Sequence, residues 1–374
     1  MSIIQPKSAQ EVAEALGSAA AHGQSIRLGG AFTKDCMGGP LAEAGVTIST
    51  AALTRVLEYE PNDLTVSVEA GMLFADLNRL LQPHRQMVPL DPPWGSSSTV
   101  GGVVAANLSG PRRRLYGTSR DMVIGMKFAT LEGKLAQSGG MVVKNVAGLD
   151  MAKLMIGSFG TLAAIVSVNF RLNVLPAAAR TFVLRFRDIG SAIARRNSIL
   201  ASVLQPAAID LLNPPVASLF GEQGFVLLVR AGGEEALLAR YAKELPDAES
   251  LDGEIETALW ERVQEFVPSF LHANPRGVVM RLSRSINAIS DVAGSAGIPV
   301  LARAGAGICY ACFDHYEQAQ ASDWRGLIEY GPPELKSKLT LWPAPGTDFP
   351  VMEQIKRMFD PNHLLNRGRL HGRI

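Results

Sequence analysis

A chain of 374 residues exceeds one ordinary domain, so two are expected, and an apolar share of 47% supplies a core for each. The formal net charge of +1 leaves no global field to draw nucleic acid or an anionic membrane. Three cysteines cannot all pair with one another, which suits a reducing compartment.

The chain opens without a basic segment followed by an apolar core, and no apolar run approaches the ~20 residues that span a bilayer. A cytoplasmic protein is expected, with any membrane contact peripheral and made through an assembly. Ser8-Ala9-Gln10-Glu11 is a capping box, in which the serine oxygen takes a free N–H and the glutamate reaches back. An alanine-rich helix follows and stops near Gly23. Residues 25–28 read as a short strand entering the turn Gly29-Gly30-Ala31. Two apolar runs, 56–59 and 64–68, flank Pro61-Asn62-Asp63 and predict a hairpin. Residues 75–81 form a helix with Leu77, Leu80 and Leu81 inward.

Two glycine-punctuated stretches come next. One runs from Thr99 through Gly101-Gly102 and Asn107 to Gly110, continuing to Tyr116-Gly117. The other holds Lys144-Asn145-Val146-Ala147-Gly148, then Gly157-Ser158-Phe159-Gly160-Thr161-Leu162. Small residues cluster where main-chain N–H groups must come close to a ligand. Neither stretch has the strand–GxGxxG–helix form of a nicotinamide site or the GxxxxGK[ST] of a phosphate loop, so a dinucleotide held by other means is expected. Between them, Arg112-Arg113-Arg114 is the one dense basic run, either a solvated loop or a phosphate or partner contact.

Residues 162–175 read as a long β run closed by Pro176, and 176–179 as the domain boundary. Beyond it strands near 181–186 and 225–229 alternate with helices near 191–204 and 234–245. Strands near 278–282 and 308–313 follow, with helices between and after, and 348–359 is helical. Cys309 and Cys312 form a CxxC, but residues three apart in a strand face opposite ways, and no second pair completes a four-thiolate site. Core packing is the expectation, and no metal site is assigned.

These residues resemble the vanillyl-alcohol oxidase/p-cresol methylhydroxylase (PCMH) type of FAD-binding fold. More narrowly they resemble the family of FAD-binding, accessory subunits of bacterial glycolate oxidase (glycolate dehydrogenase). Thr99-x-Gly101-Gly102-x-x-Ala105-x-Asn107 is shared across the wider family. Ser109-Gly110-Pro111-Arg112-Arg113, Lys144-Asn145-Val146-Ala147-Gly148 and the tail Leu365-Asn366-Arg367-Gly368-Arg369 are more specific. The resemblance implies an α+β protein in three parts. Residues 1–176 would be a two-subdomain FAD-binding PCMH-type domain, and 177–347 an α/β C-terminal cap domain with a mainly antiparallel sheet. Residues 348–374 would be a helix and tail returning to the FAD domain.

Within that fold main-chain donors cradle the pyrophosphate without buried side-chain charge. By the resemblance, Leu28, Gly29, Gly30, Ala31, Thr33 and their neighbours to Lys34 form the first phosphate turn. Thr99, Gly101, Gly102 and Asn107 line the pyrophosphate and flavin side, and Gly110, Tyr116 and Gly117 follow the cofactor. Gly160, Thr161 and Ile165 close over the adenine end, and Lys144 either faces the flavin or caps a turn. The first turn departs from the family pattern at Leu28, Ala31 and an inserted Phe32, and the later segment at Leu149 and Ala163. His22 and Cys36, the residues nearest the turn that carry attachment chemistry, read as structural, so FAD is expected to be noncovalent.

Oxidation of a 2-hydroxy acid needs a base, a cation for the carboxylate and a hydride acceptor. The related catalytic subunit carries a His-x-Gly-Asp-Gly-Asn-x-His segment. Its counterpart here is Arg303-Ala304-Gly305-Ala306-Gly307-Ile308-Cys309-Tyr310, with Arg303 and Tyr310 in the histidine places. Arginine and alanine do not ligate divalent metals. Arg303, Tyr310 and His315 are the catalytic candidates. The resemblance therefore implies an FAD-binding subunit of a glycolate dehydrogenase complex, relaying electrons between a catalytic flavoprotein subunit and an iron–sulfur subunit or shaping that assembly. Arg112 to Arg114, with Arg367, Arg369 and Arg373, would dock those partners. The alternatives are a self-sufficient FAD-dependent 2-hydroxy-acid dehydrogenase and a flavin-free scaffold subunit.

Overall fold

The computed structural model describes residues 3–142 and 149–374. Lys144 and the 144–148 motif therefore lie outside the described residues. The first strands in chain order are β1 (Ile3–Ile4), β2 (Ile26–Gly29), β3 (Val46–Ser49), β4 (Val56–Glu60), β5 (Thr65–Glu69) and β6 (Gln86–Met87). β7 (Val123–Ala129), β8 (Leu135–Gly139), β9 (Ala164–Arg171) and β10 (Asn173–Val174) follow. After Pro176 come β11 (Ala178–Phe186), β12 (Ala208–Leu212), β13 (Phe225–Gly233) and β14 (Glu249–Asp252), then β15 (Val278–Ser283), β16 (Val300–Arg303), β17 (Ile308–Phe313) and β18 (Leu327–Tyr330).

The N-terminal strands make a small parallel sheet, β1-β3-β2, and a five-stranded antiparallel sheet, β4-β5-β9-β7-β8. Local chemistry sets the ends of these elements. Ser8 caps the helix Ala9–Ala21 by accepting the Glu11 N–H, and Gly23 leaves it at a φ of 63°. The Glu11 carboxylate takes the N–H of Lys7 at 2.8 Å, one residue before the expected one. Pro61–Asp63 forms the turn between β4 and β5, and Leu64 exits it left-handed. The tail closes the parallel sheet from the far end of the chain, where Leu365 bridges Ile26 and Asn366 N–H donates to Ile26 O at 2.9 Å.

The remaining strands form one eight-stranded sheet, β14-β11-β13-β12-β16-β17-β15-β18, in which each neighbouring pair is antiparallel. The α+β class and mainly antiparallel cap sheet expected from the sequence are present. One face of this sheet packs against the N-terminal half and the other against its own helices. Along β17 the faces alternate: Ile308, Tyr310 and Cys312 join the shared core, while Cys309, Ala311 and Phe313 join the outer one. Both CxxC thiols are buried and point to different cores, the packing role read from the sequence. Burial raises Cys309 to about 12.

Candidate functional site

A groove enclosing about 780 Å³, part of it open to solvent, runs between the parallel sheet, the helix Val100–Ala105 and the 159–165 segment. Its size is within the range of small-molecule sites. Its first wall is the turn leaving β2. The Gly30 carbonyl accepts from Ser49 Oγ at 2.9 Å and Gly29 O from Thr50 N–H at 2.9 Å, so both oxygens are turned onto the sheet. The amides of Gly30, Ala31, Phe32 and Thr33 donate to no protein acceptor among the described residues. Phe32, which looks inserted in the sequence, takes a left-handed φ of 55° and folds its ring back over Gly29. A Cβ on Gly29 would lie 2.6 Å from that ring. Arg27 covers the other side, 4.5 Å from the ring centroid, and pairs with Asp35 at 2.5 Å.

The second wall is the helix Val100–Ala105. Thr99 Oγ1 caps it by accepting Gly102 N–H at 3.2 Å, and Gly101 N–H donates to Ala70 O at 2.7 Å. A Cβ on Gly30 would sit 2.3 Å from Thr99 Oγ1, so glycine there is what brings the two walls together. The third wall is Phe159-Gly160, both left-handed, tied to the helix by Phe159 N–H donating to Ala105 O at 2.9 Å. Asn366 spans first and third walls: its Oδ1 accepts Leu28 N–H at 2.7 Å, and its Nδ2 donates to Leu28 O at 3.0 Å and Phe159 O at 2.8 Å.

Leu28, Gly29, Gly30, Ala31, Thr33, Thr99, Gly101, Gly102, Gly160 and Ile165 are thus brought to one groove. Five expected contacts lie elsewhere. Asn107 is exposed at a φ of 50° beside Gly157. Gly110 donates its N–H to Leu90 O at 2.6 Å, Tyr116 sits near Arg112 and Asp91, and Gly117 backs onto the Asp121 carboxylate. Thr161 turns away, its hydroxyl on Ser158 O at 2.8 Å and its carbonyl on Lys356 Nζ at 2.7 Å. Asn366, Phe159 and Arg369 are groove residues the sequence reading did not assign. The tail motif around Asn366 was the available signal. His22 bonds its own helix through Ser18 O, and neither it nor Cys36 lines the groove.

At the groove's inner end Lys34 is buried, donating to Thr33 Oγ1 at 2.7 Å and to Ser98 Oγ. Burial lowers its ammonium to about 8, against the pull of Cys36 and Glu265. Its Nζ lies 5.3 Å from the Trp94 ring centroid, and the Trp94 ring lies against Tyr330 with centroids 5.6 Å apart, tilted by 40°. Beyond that wall lies a narrow cleft of about 290 Å³ between the two halves of the chain, lined by Ser109, Arg303, Tyr310 and Tyr330 among others.

Of the three catalytic candidates, two share this cleft. Arg303 forms a buried ion pair with Asp210, and its guanidinium sits 5.8 Å from the Tyr310 ring centroid. Burial raises the Tyr310 phenol. His315 stands apart, before the helix Tyr316–Ala321, with its side chain 43% exposed and Nδ1 3.0 Å from Glu317. The arginines expected to dock partners are engaged within the chain. Arg369 is buried on Lys34 O at 2.9 Å and Gly39 O at 3.2 Å, Arg367 reaches Glu43 O, and Arg373 pairs with Glu353 at 2.5 Å. Arg112 pairs with Asp91 at 3.2 Å, Arg113 holds Ser109 Oγ at 3.0 Å, and Arg114 holds Pro206 O at 2.8 Å.

Comparison with known proteins agrees with this geometry. A family model described as an FAD binding domain matches residues 2–139. Glycolate oxidase subunit GlcD of Bacillus subtilis is 25% identical, over 98% of this chain and 88% of its own length. Glycolate oxidase subunit GlcE of Escherichia coli is 29% identical, over 68% of each chain. The mitochondrial D-lactate dehydrogenase [cytochrome] of Arabidopsis thaliana is 32% identical over 56% of this chain and 37% of its own. Among solved structures, alkyldihydroxyacetonephosphate synthase aligns with a TM-score of 0.71 at 17% identity, over 97% of this chain and 75% of its own. The 4-ethylphenol oxidase of Gulosibacter chungangensis aligns at 0.71 and 14% identity, over 99% and 88%. The fold is that of PCMH-type flavoproteins, FAD is the cofactor, and the chain is an FAD-dependent oxidoreductase.

Proposed function

We propose that this FAD-dependent oxidoreductase is the flavin-holding subunit of a glycolate oxidase-type assembly, relaying electrons or supporting the complex rather than oxidising the 2-hydroxy acid itself. Its catalytic partner would be a second flavoprotein subunit and its electron exit an iron–sulfur subunit. FAD supplies a two-electron, hydride-accepting centre. The chain's part is to bind and orient it. The four free amides of residues 30–33 offer neutral donors to a pyrophosphate, Asn366 fixes the spacing of the walls, and Lys34 adds a positive charge shielded from water. Among the described residues that line the groove none is a histidine or cysteine, which supports a cofactor held without a covalent bond.

The observation that supports a relay or structural role is the state of the catalytic candidates. Arg303 is committed to Asp210 inside the protein, and His315 is at the surface away from Tyr310's cleft. A general base must come within hydrogen-bond reach of the proton it takes. The flavin-free scaffold reading is set aside by the FAD binding domain at residues 2–139 and the groove it builds. The self-sufficient dehydrogenase remains as second reading because Tyr310 keeps charged neighbours besides Arg303, namely Glu329, Arg281 and Arg113.

Anaerobic addition of glycolate or D-lactate to the purified, FAD-loaded chain separates the two. A flavin spectrum that stays oxidised supports the relay role. Bleaching by the acid alone assigns the oxidation to this chain.

A further inference from the structure

One turn of the FAD half is held from the cap. Residues 91–95 include two left-handed residues other than glycine, Asp91 at a φ of 44° and Trp94 at 55°. Such backbone persists where surrounding contacts over-determine it. Around Trp94 those contacts come from the junction between the helices Gly253–Gln264 and Phe266–Ala273. Glu265 accepts the Trp94 N–H at 3.1 Å on one carboxylate oxygen and the Gly95 N–H at 2.9 Å on the other. Gln264 Nε2 donates to Pro92 O at 2.7 Å. A Cβ on Gly95 would lie 2.5 Å from that amide nitrogen, so glycine is what admits the cap this closely.

The same turn supports Lys34. Trp94 presents its ring to the ammonium, and Ser98, whose N–H donates to Trp94 O at 2.8 Å, accepts from it through its hydroxyl. Glu265 therefore reaches Lys34 in two ways. It fixes the turn that carries two of the lysine's contacts, and its charge favours the ammonium through space. The other charged groups nearby have their own partners. Asp35 pairs with Arg27, Arg369 holds the carbonyls of Lys34 and Gly39, and Lys336 is lodged on Asp35 O and Met37 O. The Cys36 thiol, raised by its own burial, is an electrostatic neighbour of both lysines.

We infer that Glu265 is a positioning residue through which the cap sets the charge and the placement of Lys34, and through Lys34 the hold of the FAD half on its dinucleotide. Lys34 lines the groove, where its ammonium adds to the neutral amides of residues 30–33. Removing the Glu265 charge takes a favourable field from a buried cation, and removing its oxygens frees the two amides that keep Trp94 in place. The inference rests on the proposed seating of the pyrophosphate beside these groups, and it holds for either role of the chain. It makes flavin retention answer to a helix junction in the other half of the molecule.

Titration of the FAD-free full chain with FAD at a series of pH values, read by flavin fluorescence, tests it. Burial brings the Lys34 ammonium to about 8, and a bound pyrophosphate holds its proton on. Affinity is therefore full below about pH 8 and falls above it, by up to about tenfold per pH unit. Lys34→Met weakens binding and flattens that profile. Glu265→Gln moves the onset of the fall down by roughly half a pH unit or more, because the ammonium has lost its carboxylate. Glu265→Asp, which keeps the charge, keeps the wild-type onset. A Lys34→Met chain that binds FAD as tightly as wild type throughout overturns the seating of the pyrophosphate and the inference with it. A flat Lys34→Met profile beside an unmoved onset in Glu265→Gln, or a Glu265→Gln loss equal at every pH, overturns the inference alone.

Discussion

The groove and the cleft lie either side of the Lys34–Trp94–Tyr330 wall and are built from opposite materials. Around the groove the donors are largely main-chain amides, brought close by glycine and alanine, and they are neutral, so burying them costs no ionic desolvation. Around Tyr310 at the cleft, Arg113, Arg281, Arg303 and Glu329 are charged side chains contributed by separate elements, and Arg303 carries Asp210 with it. A neutral cradle can be preformed and wait for a ligand. A charged one is satisfied only by a partner of the right sign.

The largest effect is expected where buried charge supports the groove. Beneath its third wall Lys356 and Asp360 are fully buried, 2.6 Å apart, with Lys356 Nζ also on Thr161 O and Leu365 O. Asp360→Ala strands the ammonium and is expected to cost about 3–5 kcal/mol, read by denaturant unfolding. A loss below about 1 kcal/mol would show that the tail does not depend on this pair. Gly30→Val drives a side chain into Thr99 and is expected to weaken FAD binding by roughly a hundredfold, with a loss of about 1–3 kcal/mol in the FAD-free chain, which still folds. Normal flavin content in that variant would remove the first turn from the site.

Smaller effects refine the comparison. Asn366→Ala deletes three hydrogen bonds between walls and is expected to weaken FAD about tenfold, measured by fluorescence titration. Lys336 tests the cap's hold on the first turn. Its Nζ donates to Asp35 O at 2.9 Å and Met37 O at 2.6 Å, and burial lowers it from 10.5 to about 7. The unfolded chain therefore binds the extra proton between about pH 7 and pH 10.5, so this lysine makes stability rise with pH across that window. Relative to Lys336→Met, wild type is expected to gain up to about 1.4 kcal/mol per pH unit there. A constant difference would contradict the burial of that ammonium.

The same contrast explains what was legible in the sequence. Ser8 and Gly23 bracket their helix, and Pro61–Asp63 joins β4 to β5, because caps and turns are local chemistry. The glycines of the groove announced themselves for the same reason. Asn366 did not, since its partner Leu28 is 338 residues away. Thr161 sits next to Gly160 yet faces the opposite way, an orientation composition does not encode. Strands β14, β16 and β18 were not read because each has only four residues, too few for a clear alternation. Arg303 and Tyr310 meet through the pairing of β16 with β17, so the cleft emerged only once the sheet was assembled.

Hydrogen exchange of the chain with and without FAD, followed by mass spectrometry, addresses the groove most directly. The account expects FAD to slow exchange at the otherwise unbonded amides of Gly30 to Thr33, with little change at the edge strands of the cap. Unchanged exchange at those four amides in a chain carrying stoichiometric FAD would contradict it.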